Sequence, residues 1–217
     1  MTAGHEIDAL KKQLQDADYH VQFEAARRLA LLQHSAGIEV LIAGLDRSDF
    51  RFGAAGALAV LKNRSAIEPL ERCFSKWLIP HFDRTQIAGA LASFGVPAGV
   101  LHLKVRAQKK GAMDRAMVIE LLGQTRVEGA DVLIARIGTD QGDACRGAAI
   151  RALGRLGDAT HEPLLLSLLN DSALADDFRL DAAEALISLS QPGHREQIAA
   201  VSLRNVEAQN ELAALLA

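Results

Sequence analysis

The most regular polar feature of the sequence is an arginine that recurs at Arg51, Arg84, Arg115, Arg146 and Arg179. A guanidinium presents five donors in a rigid fork, which suits carboxylates, carbonyls and phosphates alike. Acids stand just ahead of several of these arginines, at Asp49, Asp143 and Asp177. One reading is a structural ladder, each Arg bonded to Asp or loop carbonyls of a neighbouring segment. The other is a stripe of phosphate-binding side chains. Two His-Glu pairs, His5-Glu6 and His161-Glu162, carry groups able to ligate iron. Metal ligands must converge in space, however, and two separated pairs do not make a site. His20, His34, His81, His102 and His194 are scattered and read as surface or boundary residues. Cys73 and Cys145 are far apart and make no metal-binding set. There is no Gly-rich phosphate loop and no nucleophile motif. The expectation is therefore no catalytic residue, no metal and no cofactor.

Charge is unevenly spread. Lys104, Arg106, Lys109, Lys110 and Arg115 form a basic run that reads either as a solvated helix end or as a site for an anionic partner. Asp171, Asp176, Asp177, Asp181 and Glu184 form an acidic counterpart, so the molecule is expected to be polarised along its length. The net charge of −3 argues against a chain that lives on phosphate contacts. Met1–Lys12 shows no signal-peptide core and no apolar run is long enough to span a membrane, which makes the cytoplasm the expected compartment.

Elements that could position these residues emerge from a repeat. Six segments share an anchor, usually followed by Arg, then small residues, then Leu. They begin at Val21, Phe50, Asp83, Asp114, Cys145 and Phe178, with successive spacings of 29, 33, 31, 31 and 33. The first continues as Ala25, Ala26 and Leu29; the last as Ala182, Ala183, Ala185 and Leu186. Each is followed by a second apolar segment, such as Ile38, Leu41 and Ile42, at helical spacing. Turn and cap signals, including Gly157-Asp158 and Asn170-Asp171-Ser172, lie between them. Apolar residues are 49% of the chain and aromatics only 4%, so the core is built of Ala and Leu, as closely packed helices require. A single hairpin cannot bury its apolar face, but stacked neighbours bury it in series.

Residues 145–158, Cys-Arg-Gly-Ala-Ala-Ile-Arg-Ala-Leu-Gly-Arg-Leu-Gly-Asp, resemble the phycobilisome-lyase type of HEAT-like repeat almost position by position. The resemblance extends over nearly the whole chain. It is weakest in the third and fourth repeats, where Asp83 and Asp114 occupy the usually apolar anchor and Thr125 replaces a core Leu. It implies an all-α, right-handed α-solenoid of about six HEAT-like hairpins with terminal capping helices, forming one domain over residues 1–217. It also implies that the Arg series is a structural ladder. The HEAT-like deoxyhypusine hydroxylases carry His-Glu pairs early in the motif helix. Here those places hold Phe23-Glu24, Phe52-Gly53 and Leu180-Asp181, so the iron site is not expected.

With the paired small residues buried, the positions 2, 6, 9 and 13 after each anchor point away from the core and should line the concave surface. That row includes Phe23, Arg27, Phe52, Gly56, Gly89, Glu120, Arg151 and Glu184. It is small and apolar for a solvated face. Glycine inside a helix costs about 0.5–1 kcal/mol relative to Ala, so the recurrence of Gly56, Gly89 and Gly123 points to something packed against the backbone. Either a partner approaches there, or the motif helices touch one another. Phe23 and Phe52 hold equivalent positions, roughly 10 Å apart in stacked hairpins, and would suit two anchors on one partner unless both are core. The expected function is a non-catalytic scaffold or adaptor that binds another protein or peptide on this face. The resemblance permits a second role, as a bilin-lyase-related chaperone or lyase subunit acting on a tetrapyrrole-carrying protein. A third is nucleic-acid binding in the manner of the HEAT-like glycosylases, which the non-basic row disfavours.

Overall fold

The computed structural model describes residues 3–217; Met1 and Thr2, at the start of the segment read for a leader, lie outside the described residues. Among the described residues every regular element is helical. Helix α1 (Ala3–Gln13) precedes six pairs: α2 (Tyr19–Leu31) with α3 (Ile38–Gly44), α4 (Ser48–Leu61) with α5 (Ile67–Phe74), and α6 (His81–Ser93) with α7 (Pro97–Ala107). Then come α8 (Arg115–Thr125) with α9 (Ala130–Thr139), α10 (Arg146–Leu156) with α11 (Glu162–Asn170), and α12 (Asp176–Leu189) with α13 (His194–Ala199). Helix α14 (Val206–Leu216) follows. The even-numbered helices from α2 to α12 carry the repeat motif. Among the described residues no helix is long and apolar enough to cross a membrane.

Contacts divide the chain into two compact units, Met1–Leu103 and Lys104–Ala217. In the first, α2 packs on α4 and α4 on α6. Their shared core includes Ala26, Leu41, Leu58, Leu70, Ile87 and Leu91, while α1 adds Leu10 against Ala25 and Leu29. In the second, α8 packs on α10, α10 on α12 and α12 on α14, around Ile119, Leu122, Ile150, Leu153, Leu165 and Leu186. Each unit is thus a series of hairpins whose motif helices bury one another.

The hairpin turn is as periodic as the core. Twelve residues after each anchor the backbone is left-handed: Gln33, Lys62, Gly95, Arg126, Gly157 and Ser190. Glycine fills only two of these six places, although the conformation favours it. In three repeats the next residue caps a short 3-10 turn leading to the second helix. His34 Nδ1 accepts from the Ala36 N–H at 3.2 Å, Asn63 Oδ1 from Ser65 at 3.0 Å, and Asp158 Oδ1 from Thr160 at 2.9 Å. These three residues belong to the row read as partner-facing, and the turn itself uses them.

Close helix approach in the second unit depends on two glycines. A Cβ on Gly123 would stand 2.8 Å from the Ala152 carbonyl oxygen, and one on Gly154 would stand 2.4 Å from the Ala185 Cα. Ala gains helix propensity over Gly by about 1 kcal/mol, but overpacking against backbone outweighs it. Gly154→Ala is expected to lose about 1–3 kcal/mol net in chemical denaturation. Gly4→Ala, where nothing lies within 4 Å of the new Cβ, is expected to be neutral or slightly stabilising. A stabilised Gly154→Ala variant would contradict this packing.

His194, read as a surface or boundary residue, is buried. Its Nδ1 lies 2.8 Å from the Leu186 carbonyl, and its Nε2 lies 3.0 Å from Glu162 Oε1, off hydrogen-bond alignment. It ties the start of α13 to α12 and α11.

Candidate functional site

The recurring arginines sit in the first turns of the motif helices and turn back onto the preceding helix. Arg51 Nε donates to the Leu45 carbonyl at 2.8 Å, Arg84 Nη1 to Phe74 at 2.7 Å, and Arg115 Nε to Ala107 at 2.6 Å. Arg146 Nε donates to Gly138 at 3.0 Å and Arg179 Nε to Leu169 at 2.9 Å. Each therefore satisfies a carbonyl at the C-terminal end of the helix before it, where such groups lack partners and the dipole favours a cation. The forks then reach further. Arg51 pairs with Asp83 at 3.1 Å, and Arg115 grips Asp143 with both terminal nitrogens at 2.5 and 2.8 Å. Arg146 lies over the Phe178 ring at 5.1 Å, and Arg179 meets Asp176 at 3.4 Å. Arg115, Arg146 and Arg179 are buried, so the guanidiniums act inside the fold.

The two acids that replace apolar anchors are acceptors. Asp83 receives Arg51, and Asp114 receives Arg106 Nε at 2.7 Å. Most of the basic run is engaged in the same way. Lys104 donates to the Glu128 carbonyl at 2.5 Å and Lys110 to Asp140 at 2.8 Å, besides Arg106 and Arg115. Asp143 is held below the usual carboxylate range, chiefly by the Arg115 hydrogen bonds, against the opposing effect of burial. In the acidic segment Asp176 is internal: its Oδ2 accepts the Arg204 and Asn205 N–H groups at 2.8 Å each.

The row assigned to the outer face of the motif helices divides. Phe23 is buried at 7% exposure, which corrects its placement beside a groove. Its ring packs on Phe50 at 4.8 Å and Tyr19 at 6.2 Å, and Gly44 and Gly53 leave it room. Gly89, Gly123 and Gly154 are buried too. For Gly123 and Gly154 the packed neighbour is the next motif helix of the same unit, not a ligand. Gly56 is half-buried, and its open side meets the Gln86 amide of α6, 3.2 Å from a built Cβ. The reason is geometric: a motif helix inside a stack touches its hairpin partner and the motif helices on either side, so its buried sector is wider than one stripe.

What remains at the surface includes charged residues and one exposed aromatic. Phe52 is 45% exposed. Arg27 is exposed and pairs with Glu24 of its own helix at 3.0 Å. On the second unit, Arg151 of α10 stands between Asp181 of α12 at 2.5 Å and Glu120 of α8 at 3.4 Å. Arg155 adds a contact to Glu120 at 3.5 Å. A Cβ on Gly147 would collide with the Asp181 carboxylate, so this glycine makes room for the pair. Glu120, Arg151 and Asp181 thus form a band across three successive motif helices. Burial pushes the Asp181 carboxyl up; Arg151 opposes this and the Asp177 charge reinforces it. Glu184 lies one turn further along α12 and is exposed.

No nucleophile stands against a base in these contacts. Among the described residues no group of three or more His, Cys, Asp or Glu side chains could hold a metal ion. His5 and Glu6 are exposed on α1, and Glu162 is turned toward His194. The arrangement presents charge and shape along the motif helices.

Two family models match the chain: HEAT repeats over residues 7–77, and the PBS lyase HEAT-like repeat over residues 146–171. The chain therefore carries HEAT-like repeats. No curated protein matches it. Among solved structures, this HEAT-like repeat protein is similar to a chain in the complex of CpcE and CpcF of phycocyanin lyase from Nostoc sp. PCC7120. The TM-score is 0.57 at 21% identity, over 97% of this chain and 94% of that one. Human deoxyhypusine hydroxylase gives a TM-score of 0.43 at 18% identity, over 97% and 83% of the two chains. An engineered protein gives 0.40 at 19% identity, over 96% and 67%. The first of these shows a shared fold.

Proposed function

We propose that this HEAT-like repeat protein is a non-catalytic scaffold that holds a partner protein on the exposed edge of its motif helices. The band of Glu120, Arg151 and Asp181 carries the proposal. It crosses three packed helices, its side chains fix one another, and it lies outside the core. Side chains ordered before binding lose little entropy on binding, which is how rigid repeat surfaces gain affinity. In the first unit Phe52 offers an exposed aromatic, a residue type enriched at binding hot spots.

Affinity capture from native lysate tests this reading. Phe52→Ala and the double variant Glu120→Ala/Arg155→Ala are expected to release captured protein while melting stays near wild type. A hot-spot loss of about 2 kcal/mol corresponds to ~30-fold in Kd. Capture unchanged in both variants would place the partner elsewhere.

The likeness in fold to a chain of a phycocyanin lyase complex supports a second reading, in which the partner is a tetrapyrrole-carrying protein. Adding a bilin and following its visible absorbance separates the two. A red-shifted, saturable spectrum supports the bilin role, and an unchanged one supports the scaffold. A nucleic-acid partner is disfavoured, since Glu120, Asp181 and Glu184 would face its phosphates.

A further inference from the structure

An open groove of about 440 Å³ lies between α12 and α14, lined by Leu180, Asp181, Glu184, Glu211, Ala214 and Leu215. Its apolar surface comes from Leu180, Ala214 and Leu215, and its polar rim is three carboxylates with no Lys or Arg among the lining residues. Leu180 and Glu184 are four apart on one helix, as are Glu211 and Leu215 on the other, so each wall offers an apolar side chain and an acid about one turn apart. The cation nearest in the network, Arg151, is already shared between Asp181 and Glu120. Glu184 and Glu211 are exposed, and Asp177 adds a further negative charge beside Asp181.

We propose that this groove seats a basic segment of the partner protein, with the aliphatic stem of a Lys or Arg on Leu180 and Leu215 and its cation among Asp181, Glu184 and Glu211. Long cationic side chains suit such a place because they lay methylenes on apolar surface while the charge stays at a polar rim. Charge complementarity selects the occupant: an acidic segment would bring like charges together, and an uncharged apolar one would bury carboxylates without partners. A Lys or Arg there also offsets the burial that pushes the Asp181 carboxyl up. The proposal rests on the protein-binding role above and adds the chemistry of what is bound.

A terminally blocked peptide of alternating leucine and lysine is the probe, with its leucine-glutamate counterpart as control. Titration is followed by calorimetry and by amide shifts of the labelled full-length protein. The Leu-Lys peptide is expected to bind, to move resonances of α12 and α14, and to weaken steeply with salt. Glu184→Lys/Glu211→Lys should weaken it at least tenfold, and Glu184→Gln/Glu211→Gln by less. Both side chains are exposed, and a melting curve confirms that each variant folds. Absence of binding, equal binding of the Leu-Glu peptide, shifts confined to other helices, or indifference to charge reversal would each overturn the groove. Partner capture that survives such a result would leave the scaffold reading standing. Peptide binding here with no partner lost in the capture variants would instead retain the groove and remove the band as the partner site.

Discussion

Replacing Phe23 by alanine is expected to cost about 3–5 kcal/mol of stability, the range for a large aromatic removed from a core. Phe52→Ala is expected to cost within about 1 kcal/mol, because a half-exposed ring leaves little cavity. Their motif positions are the same, so the contrast isolates surroundings from sequence. The Phe23 ring is enclosed by Tyr19 and Phe50 and fitted against Gly44 and Gly53, whereas Phe52 is 45% exposed. Equilibrium denaturation of the two single variants gives the answer directly. Equal losses would mean that both rings are core, and two negligible losses would mean that neither is.

Asp143→Ala is expected to cost a similar amount, about 3–5 kcal/mol, for an electrostatic reason. Asp143 receives both terminal nitrogens of Arg115, and both residues are buried. Removing the carboxylate strands a guanidinium away from water. Arg115→Met should cost less, since it removes the cation and leaves an acid that can protonate or take the Cys145 N–H it already accepts at 2.9 Å. The pair also sets a pH dependence. The Asp143 carboxyl is depressed in the folded state, chiefly by Arg115. Its contribution is therefore present above the ordinary carboxylate range and is lost as pH falls through the depressed value. Asp176, depressed by the Asn205 and Arg204 N–H groups, acts in the same direction. Wild type should lose stability on acidification, and Asp143→Ala should show a shallower acid slope. Parallel curves would remove Asp143 from the account.

Much of this was legible in the residues. The six anchors fall in or beside the first turns of α2, α4, α6, α8, α10 and α12, and the small residues and Leu that follow are buried. The regular Arg was visible as a ladder candidate. Carbonyl partners were expected as a class, but which ones was not legible, because carbonyls at the ends of preceding helices leave no residue signature. Asp83 and Asp114 looked like lapses in an apolar pattern, yet they accept Arg51 and Arg106. In each case the break in hydrophobicity marked an ion pair, with Arg51 of the preceding motif helix for Asp83 and with Arg106 of α7 for Asp114. The outer row was misread where it assumed that each helix buries a single stripe. Motif helices in series bury a second edge, which takes in Phe23, Gly123 and Gly154. Neighbouring sequence held a usable hint for Phe23: Tyr19 and Phe50 supply aromatic company, and Gly44 and Gly53 supply space. His34, Asn63 and Asp158 likewise follow the left-handed residue in each case, a cap signature read along the chain rather than around the helix. The groove between α12 and α14 depends on how two helices separated by α13 come together, and no spacing within either helix encodes that.

The central claim is that partner contact is made on the exposed edge of the motif helices. Site-specific photo-cross-linking tests it most directly. A photoreactive residue is placed at Phe52 of α4 or Glu184 of α12, and for comparison at Glu39 of α3 or Val132 of α9, all exposed positions. The account predicts a protein adduct from positions 52 and 184 and none from 39 and 132. Adducts from the second-helix positions alone would contradict it.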